Sequence, residues 1–190
     1  MVLEITKIGN PILRETAIEV SATELASGSM QQFIDNLIET KRHANGAGIA
    51  APQVGVNKRI FIVEVDNNPR YPYKPDVPLT VVVNPKITFL TDERFQNYEG
   101  CLSIPDLRGI LDRCPEIRVE CLDRQGESQD FVVKGVTAGT FQHEDDHLNG
   151  ILFLDRVTDK DSFSTWSEFE KRYANDVQKS VKNIVARYGS

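Results

Sequence analysis

The chain predicts an α+β fold: mostly antiparallel sheets packed around a central helix, with an additional C-terminal helix. A helical apolar stripe lies before residue 45, a block of β-branched runs spans Arg59 to Lys134, and two helical patterns follow it. Because the strands come as a block instead of alternating with helices, a doubly wound parallel sheet is disfavoured.

The elements follow in order. After an apolar start at Val2, Leu3 and Ile5 and a turn at Gly9-Asn10-Pro11, the residues Met30, Phe33, Ile34, Leu37 and Ile38 keep helical spacing, with Ser29 as the candidate N-cap and Gly46 beyond the end. Strands are expected at Ile60–Val65, Leu79–Val83, Ile87–Leu90, Ile117–Leu122 and Phe131–Val133. Pro69, Pro72, Pro75 and Pro78 recur every third residue and read as an extended surface loop, in which proline lowers chain entropy. A helix from Val136 to Asn149 ends at Gly150, a residue suited to a left-handed cap. The last helix starts at Thr165, with Glu168 completing a capping box, and carries one stripe through Trp166, Phe169, Tyr173, Val177, Val181, Ile184 and Tyr188.

With 190 residues, one domain over 1–190 is expected, residues 160–190 forming its C-terminal helical segment. The balance of 22 Lys and Arg against 28 Asp and Glu leaves a net charge of -6, the wrong sign for non-specific binding to nucleic acid, and no DNA partner is expected. No apolar run reaches the roughly 18 residues of a membrane helix. Glu4 and Lys7 interrupt the place where a signal peptide would be apolar, so a cytoplasmic location is expected, with no membrane partner. Three cysteines without a C-x-x-C pair read as reduced thiols.

The chemistry is concentrated in His143-Glu144-Asp145-Asp146-His147, an H-E-x-x-H sequence inside a predicted helix. At about 100° per residue, the two imidazoles lie about 40° apart and one turn along, so both can meet one metal ion. Glu144 projects about 100° from His143, placed to act as a base on water beside the ion. His43, at the end of the first helix, is accounted for by the helix C-terminus.

The third ligand is open. The longer metzincin pattern follows through Gly150 but has Phe153 where its last histidine belongs. A zinc endopeptidase of thermolysin type would use Glu168 or Glu170. Cys101, in Glu99-Gly100-Cys101-Leu102-Ser103, would instead leave one tetrahedral position for water, whereas Cys114 and Cys121 read as small buried apolar residues. The segment Gly46-Ala47-Gly48-Ile49-Ala50-Ala51-Pro52-Gln53 mimics a dinucleotide loop, but it follows a helix and meets Pro52 at once. Its small residues suit backbone lying against a ligand.

Together, G-A-G-I-A-A-P-Q at 46–53, E-G-C-L-S at 99–103 and Q-H-E-D-D-H at 142–147 resemble the three ordered motifs of bacterial peptide deformylases, and the resemblance covers almost the whole chain, from Asn10 to Asp155. The resemblance implies metal ligands Cys101, His143 and His147, and ferrous iron that zinc or nickel can replace. It implies hydrolysis of the N-terminal formyl group of formyl-methionyl nascent peptides, with release of formate. Glu144 is then the catalytic base, and Gln53 and the Leu102 backbone N–H stabilise the oxyanion. Gly48 and Gly100 would hold the peptide in extended form. An apolar methionine pocket is expected near Val136, Gly139 and Thr140, and Asp146 is expected to pair with Arg113. Lys179, Lys182 and Arg187 give the terminal helix a positive end that could touch ribosomal RNA, against the simpler reading of a packed amphipathic helix.

Overall fold

The computed structural model describes residues 1–190. A single turn, α1 (Ala22–Leu25), precedes α2 (Gly28–His43). The cap of α2 is Ser27, not Ser29: Ser27 is extended and its Oγ accepts from the Met30 N–H at 3.2 Å, while Ser29 already lies in the first turn.

Five strands form one antiparallel sheet in the order β1 (Gly48–Ala50), β2 (Ile60–Val65), β3 (Val77–Phe89), β6 (Glu116–Leu122), β7 (Ser128–Lys134). Ile60 and Ile62 face α2 in a core with Ile34, Leu37 and Ile49. Phe61 and Val63 face the opposite way, against α3 (Gly135–Leu148), with Val119, Val133, Phe141 and Leu148. The alternation of β2 thus buries both faces, and the sheet is sandwiched between two helices. Cys114 and Cys121 sit in the second core as small apolar side chains.

The structure differs from the expected elements in several places. The strands expected at Leu79–Val83 and Ile87–Leu90 are the single β3. Its register shifts between Val83 and Lys86, where Asn84 takes a positive φ of 51° and Pro85 has no N–H for a ladder. A second, two-stranded sheet of β4 (Phe95–Cys101) and β5 (Ile104–Arg113) was not foreseen, because Glu99, Arg108 and Arg113 are buried in it as polar groups, which no hydrophobic period reveals. After the short α4 (Phe153–Arg156), the terminal helix is broken into α5 (Trp166–Arg172) and α6 (Ala174–Tyr188), so that Phe169 and Tyr173 both reach Tyr98, with ring centroids at 5.0 and 5.7 Å. Thr165 caps α5 by accepting from the Glu168 N–H, but the Glu168 carboxylate turns to Lys171 and Arg172, leaving half a capping box. The proline-rich segment is a loop with Pro69, Pro72 and Pro78 exposed, but part of it folds inward. Asn68 and Tyr71 are buried, Asn68 Nδ2 donates to the carbonyls of Asn45 and Gly46, and the Tyr71 ring packs edge-on to Trp166 at 6.2 Å.

Two of the three cations expected to make the terminal helix basic are engaged: Lys179 with Asp176 and Arg187 with Glu93. No helix is long and apolar enough to cross a membrane.

Glu64 on β2 ties the sheet to the end of α2. Lys41 Nζ donates to Glu64 Oε2 at 2.7 Å and Arg42 Nη2 to Oε1 at 2.6 Å. The hydrogen bonds from Arg42, with burial opposing and Lys41 assisting, lower the Glu64 pKa from 4.5 to about 2, whereas burial draws Lys41 downward. A depressed folded-state pKa means that this stabilisation is complete above the unfolded value and lost as pH falls through the folded one. Glu64→Gln is therefore expected to cost on the order of 2–3 kcal/mol at pH 7. In urea unfolding, the difference from wild type should shrink between pH 4.5 and about 2; a pH-independent difference would assign it to packing.

Candidate active site

Helix α3 passes between the two sheets and carries His143, Glu144 and His147 on the face turned toward the end of β4, where Cys101 sits. One donor atom from each of Cys101, His143 and His147 falls within 4.8 Å of the others. Cys101 Sγ lies 3.2 Å from His147 Nε2, and the two imidazoles cross at 78° with centroids 5.1 Å apart. Burial pushes the Cys101 thiol up, but His147 and then His143 outweigh it and hold it well below its ordinary value. A buried thiolate with two imidazoles is a donor set for a borderline-soft divalent ion.

His143 is oriented from behind. Its Nδ1–H donates to Glu99 Oε2 at 2.8 Å, which leaves Nε2 for the cluster. Burial raises the pKa of the Glu99 carboxyl, but Arg113 overrides it through a bidentate pair at 2.8 and 2.9 Å and holds it well below the carboxylate range. Arg113 Nη1 also donates to Asp146 at 2.7 Å, as expected, and Arg156 grips Asp146 from the other side. The chain Glu99–Arg113–Asp146–Arg156 thus links β4, β5, α3 and α4, and removing one member would strand a buried charge.

Glu144 is 3% exposed, and burial raises it to about 7 against the pull of the two imidazoles. Its Oε2 has no partner. A side chain on Gly48 would overlap its carboxylate, so glycine in β1 makes the space that Glu144 occupies. Gln53, in the short turn after β1, accepts from the Ala50 N–H at 2.8 Å through Oε1. This fixes the amide, with Nε2 directed at Cys101 Sγ (3.4 Å) and Ser103 Oγ (3.2 Å). Leu102, in the turn between β4 and β5, has a backbone N–H that makes no hydrogen bond within the chain. Gly48 and Gly100 line the same cavity from β1 and β4, each of which has one unpaired edge.

The cavity differs from the one expected. Gly139 and Thr140 line it, but Val136 is buried beneath the start of α3 and does not. Its lining includes Tyr71 and Lys74 of the inward loop, Asn97 of β4 and Arg108 of β5, none of them foreseen. Lys74 Nζ donates to Thr140 Oγ at 3.1 Å, and burial lowers its pKa to about 8. Arg108 is 1% exposed and its guanidinium sits 4.0 Å from the Phe169 ring centre and 4.4 Å from that of Trp166. One of its nitrogens donates to the Tyr98 carbonyl, while Nε and Nη1 have no partner. No spacing rule identifies a lysine in a proline loop or an arginine in a strand as cavity residues.

A thiolate–imidazole cluster with a buried, unpartnered carboxylate beside it defines a metallohydrolase. Residues 2–163 match the profile of polypeptide deformylase. The chain is 44% identical to the peptide deformylase of Leptospira biflexa over 82% of its own length and 88% of that protein, and 43% identical to peptide deformylase 2 of a Nostoc species over 89% and 93%. It superposes on the Met-Ala-Ser-bound class I type b peptide deformylase of Acinetobacter baumannii with a TM-score of 0.80 and 45% identity, covering 83% of this chain and 99% of that one. The chain belongs to the polypeptide deformylase family. The thermolysin-type alternative falls with this membership and with the geometry: Glu168 pairs with Lys171 and Arg172, and Glu170 accepts from the Trp166 indole, both on exposed ground.

Proposed function

We propose that Cys101, His143 and His147 hold the ion with which this deformylase removes the formyl group from formyl-methionyl nascent peptides, and that Glu144 is its base. The observation that carries this reading is the convergence of three donor atoms within 4.8 Å beside a carboxylate with an orphaned oxygen. A divalent ion there, when bound, supplies Lewis acidity that makes water nucleophilic near neutral pH. We take that ion to be ferrous iron, replaceable by zinc or nickel, because imidazole and thiolate serve all three.

The rest is done by the chain. Glu144 takes a proton from the attacking water at its free oxygen and returns it to the departing nitrogen, so that formate and a free amine leave. Gln53 Nε2 and the Leu102 N–H donate to the oxyanion that forms on the formyl carbon's oxygen. The amide of Gln53 is oriented beforehand by the Ala50 N–H at Oε1, and one of its two Nε2–H bonds, to Cys101 Sγ or Ser103 Oγ, is exchanged for the oxyanion. Main-chain pairing along β1 at Gly48 and β4 at Gly100 reads backbone and not sequence, which suits an enzyme acting on many nascent chains in the bacterial cytoplasm. A ribosome contact through the terminal helix would rest on Lys182, which has no ion-pair partner, and on Lys179 and Arg187, whose pairs with Asp176 and Glu93 are exposed.

Gln53→Ala is expected to keep metal and fold and to lower kcat by roughly a hundredfold or more; full turnover at full metal occupancy would remove Gln53 from the oxyanion site. The test of the function is anaerobic formate release from formyl-Met-Ala-Ser by ferrous-loaded protein. Release that stops on chelation supports it, and no formate from fully loaded protein overturns it. The ferrous form is expected to lose activity in air faster than the nickel form, because ferrous iron is itself readily oxidised whereas the Cys101 thiolate is common to both; equal decay would count against iron.

A further inference from the structure

We infer that the recess for the first side chain of the substrate is built to bind a hydrogen-bond acceptor, and that this enzyme prefers a first residue of methionine length ending in oxygen to one ending in hydrocarbon. The inference rests on the deformylase reading for where that side chain goes. Gly139 and Thr140 lie one turn before His143 and Glu144 on the same face of α3, about 6 Å along the axis, the reach of an unbranched side chain.

What waits there is polar. Gly139 offers only backbone, and a Cβ on it would lie 3.2 Å from Asn97 Nδ2, so the amide of Asn97 packs directly on the helix. Lys74 enters from the inward loop and donates to Thr140 Oγ, whose own proton is directed at the Val136 carbonyl. Thr140 is the one hydrogen-bond partner of this ammonium, and no carboxylate lies within ion-pair distance of it. Glu99 and Glu144 act on its charge from farther off, opposed by Arg108 and Arg113, and Glu99 is already committed to Arg113, Asn97 and His143. Nζ also lies 5.0 Å from the centre of the Tyr71 ring, a cation–π contact that takes up no hydrogen-bond acceptor, so the ammonium keeps N–H capacity for a ligand. A hydrocarbon chain laid over it would leave donors buried without partners, a thioether sulfur is a weak acceptor, and a sulfoxide or amide oxygen meets one fully. Sites built to bond a polar group reject analogues lacking it far more strongly than apolar pockets reject a missing methylene.

The test compares formyl-X-Ala-Ser with X as norleucine, methionine sulfoxide or glutamine, by kcat/KM on metal-loaded enzyme. Binding of the corresponding unformylated X-Ala-Ser peptides, followed by calorimetry, needs no turnover. We expect both oxygen-bearing residues to exceed norleucine by at least about tenfold in wild type, and Lys74→Met to bring the ratio to within about twofold of unity while Lys74→Arg retains it. Thr140→Val, which removes the oxygen that positions Lys74, should lower the ratio independently should Lys74→Met fold poorly. Norleucine processed and bound as well as the oxygen-bearing residues by wild type, or a ratio unmoved by these variants, would overturn the inference. Failure to release formate from any peptide would count against the deformylase reading, and the calorimetric order would still decide this one.

Discussion

Glu144→Gln is expected to lower kcat for formyl-Met-Ala-Ser by a hundred- to ten-thousandfold while leaving one equivalent of metal bound. The substitution is nearly isosteric, so the space left by Gly48 still accommodates it. It removes the one thing the mechanism needs from this position, an oxygen that can carry a proton. Glu144 lies outside the group of donors formed by Cys101, His143 and His147, so its loss should not empty the site. Single-turnover formate release with metal analysis on the same sample separates the two roles. Loss of metal together with activity would make Glu144 a ligand, and unimpaired turnover would remove it from proton transfer.

Cys101→Ala is the complementary case, in which metal and activity should vanish together. The thiolate receives hydrogen bonds from Gln53 and from the Ser103 N–H at 3.4 Å and abuts His147 at 3.2 Å, so it is the hub of the donor set. Thermal unfolding supplies a second readout. An ion that binds only the folded chain raises Tm by mass action, so chelation should lower Tm in wild type and leave Cys101→Ala unmoved. Glu168→Ala should behave as wild type in every assay. Retained metal in Cys101→Ala would require a fourth donor near the two histidines.

The sequence disclosed the central helix and its chemistry because H-E-x-x-H rests on helical spacing alone, and the 3.6-residue turn is insensitive to context. It also exposed β2, whose stretch from Ile60 to Val63 is apolar on both faces, and the pairing of Asp146 with Arg113. The hairpin of β4 and β5 escaped because its buried side chains include Glu99, Arg108 and Arg113, so burial there follows charge neutralisation and cation–π contact, neither of which has a period. Lys74 escaped for a related reason. The prolines around it mark a loop correctly but say nothing about whether the loop folds outward or in, which is decided by Tyr71 meeting Trp166 some ninety residues later. Choosing Cys101 over Glu168 likewise needed more than spacing, since both lie at distances from His143 that a folded chain can close.

The three proposed ligands come from opposite sides of one seam: Cys101 closes the small sheet, whereas the histidines ride on a helix buried against the large one. Such a centre has no partial form. Local helix formation can align His143 with His147 within microseconds, but the thiolate arrives only when the hairpin docks, the slower and more non-local event. Recovery of metal affinity during refolding should therefore trail recovery of helical signal and coincide with the final phase. The ion would act as an inspector of completed assembly, engaged only by chains whose two halves have found each other.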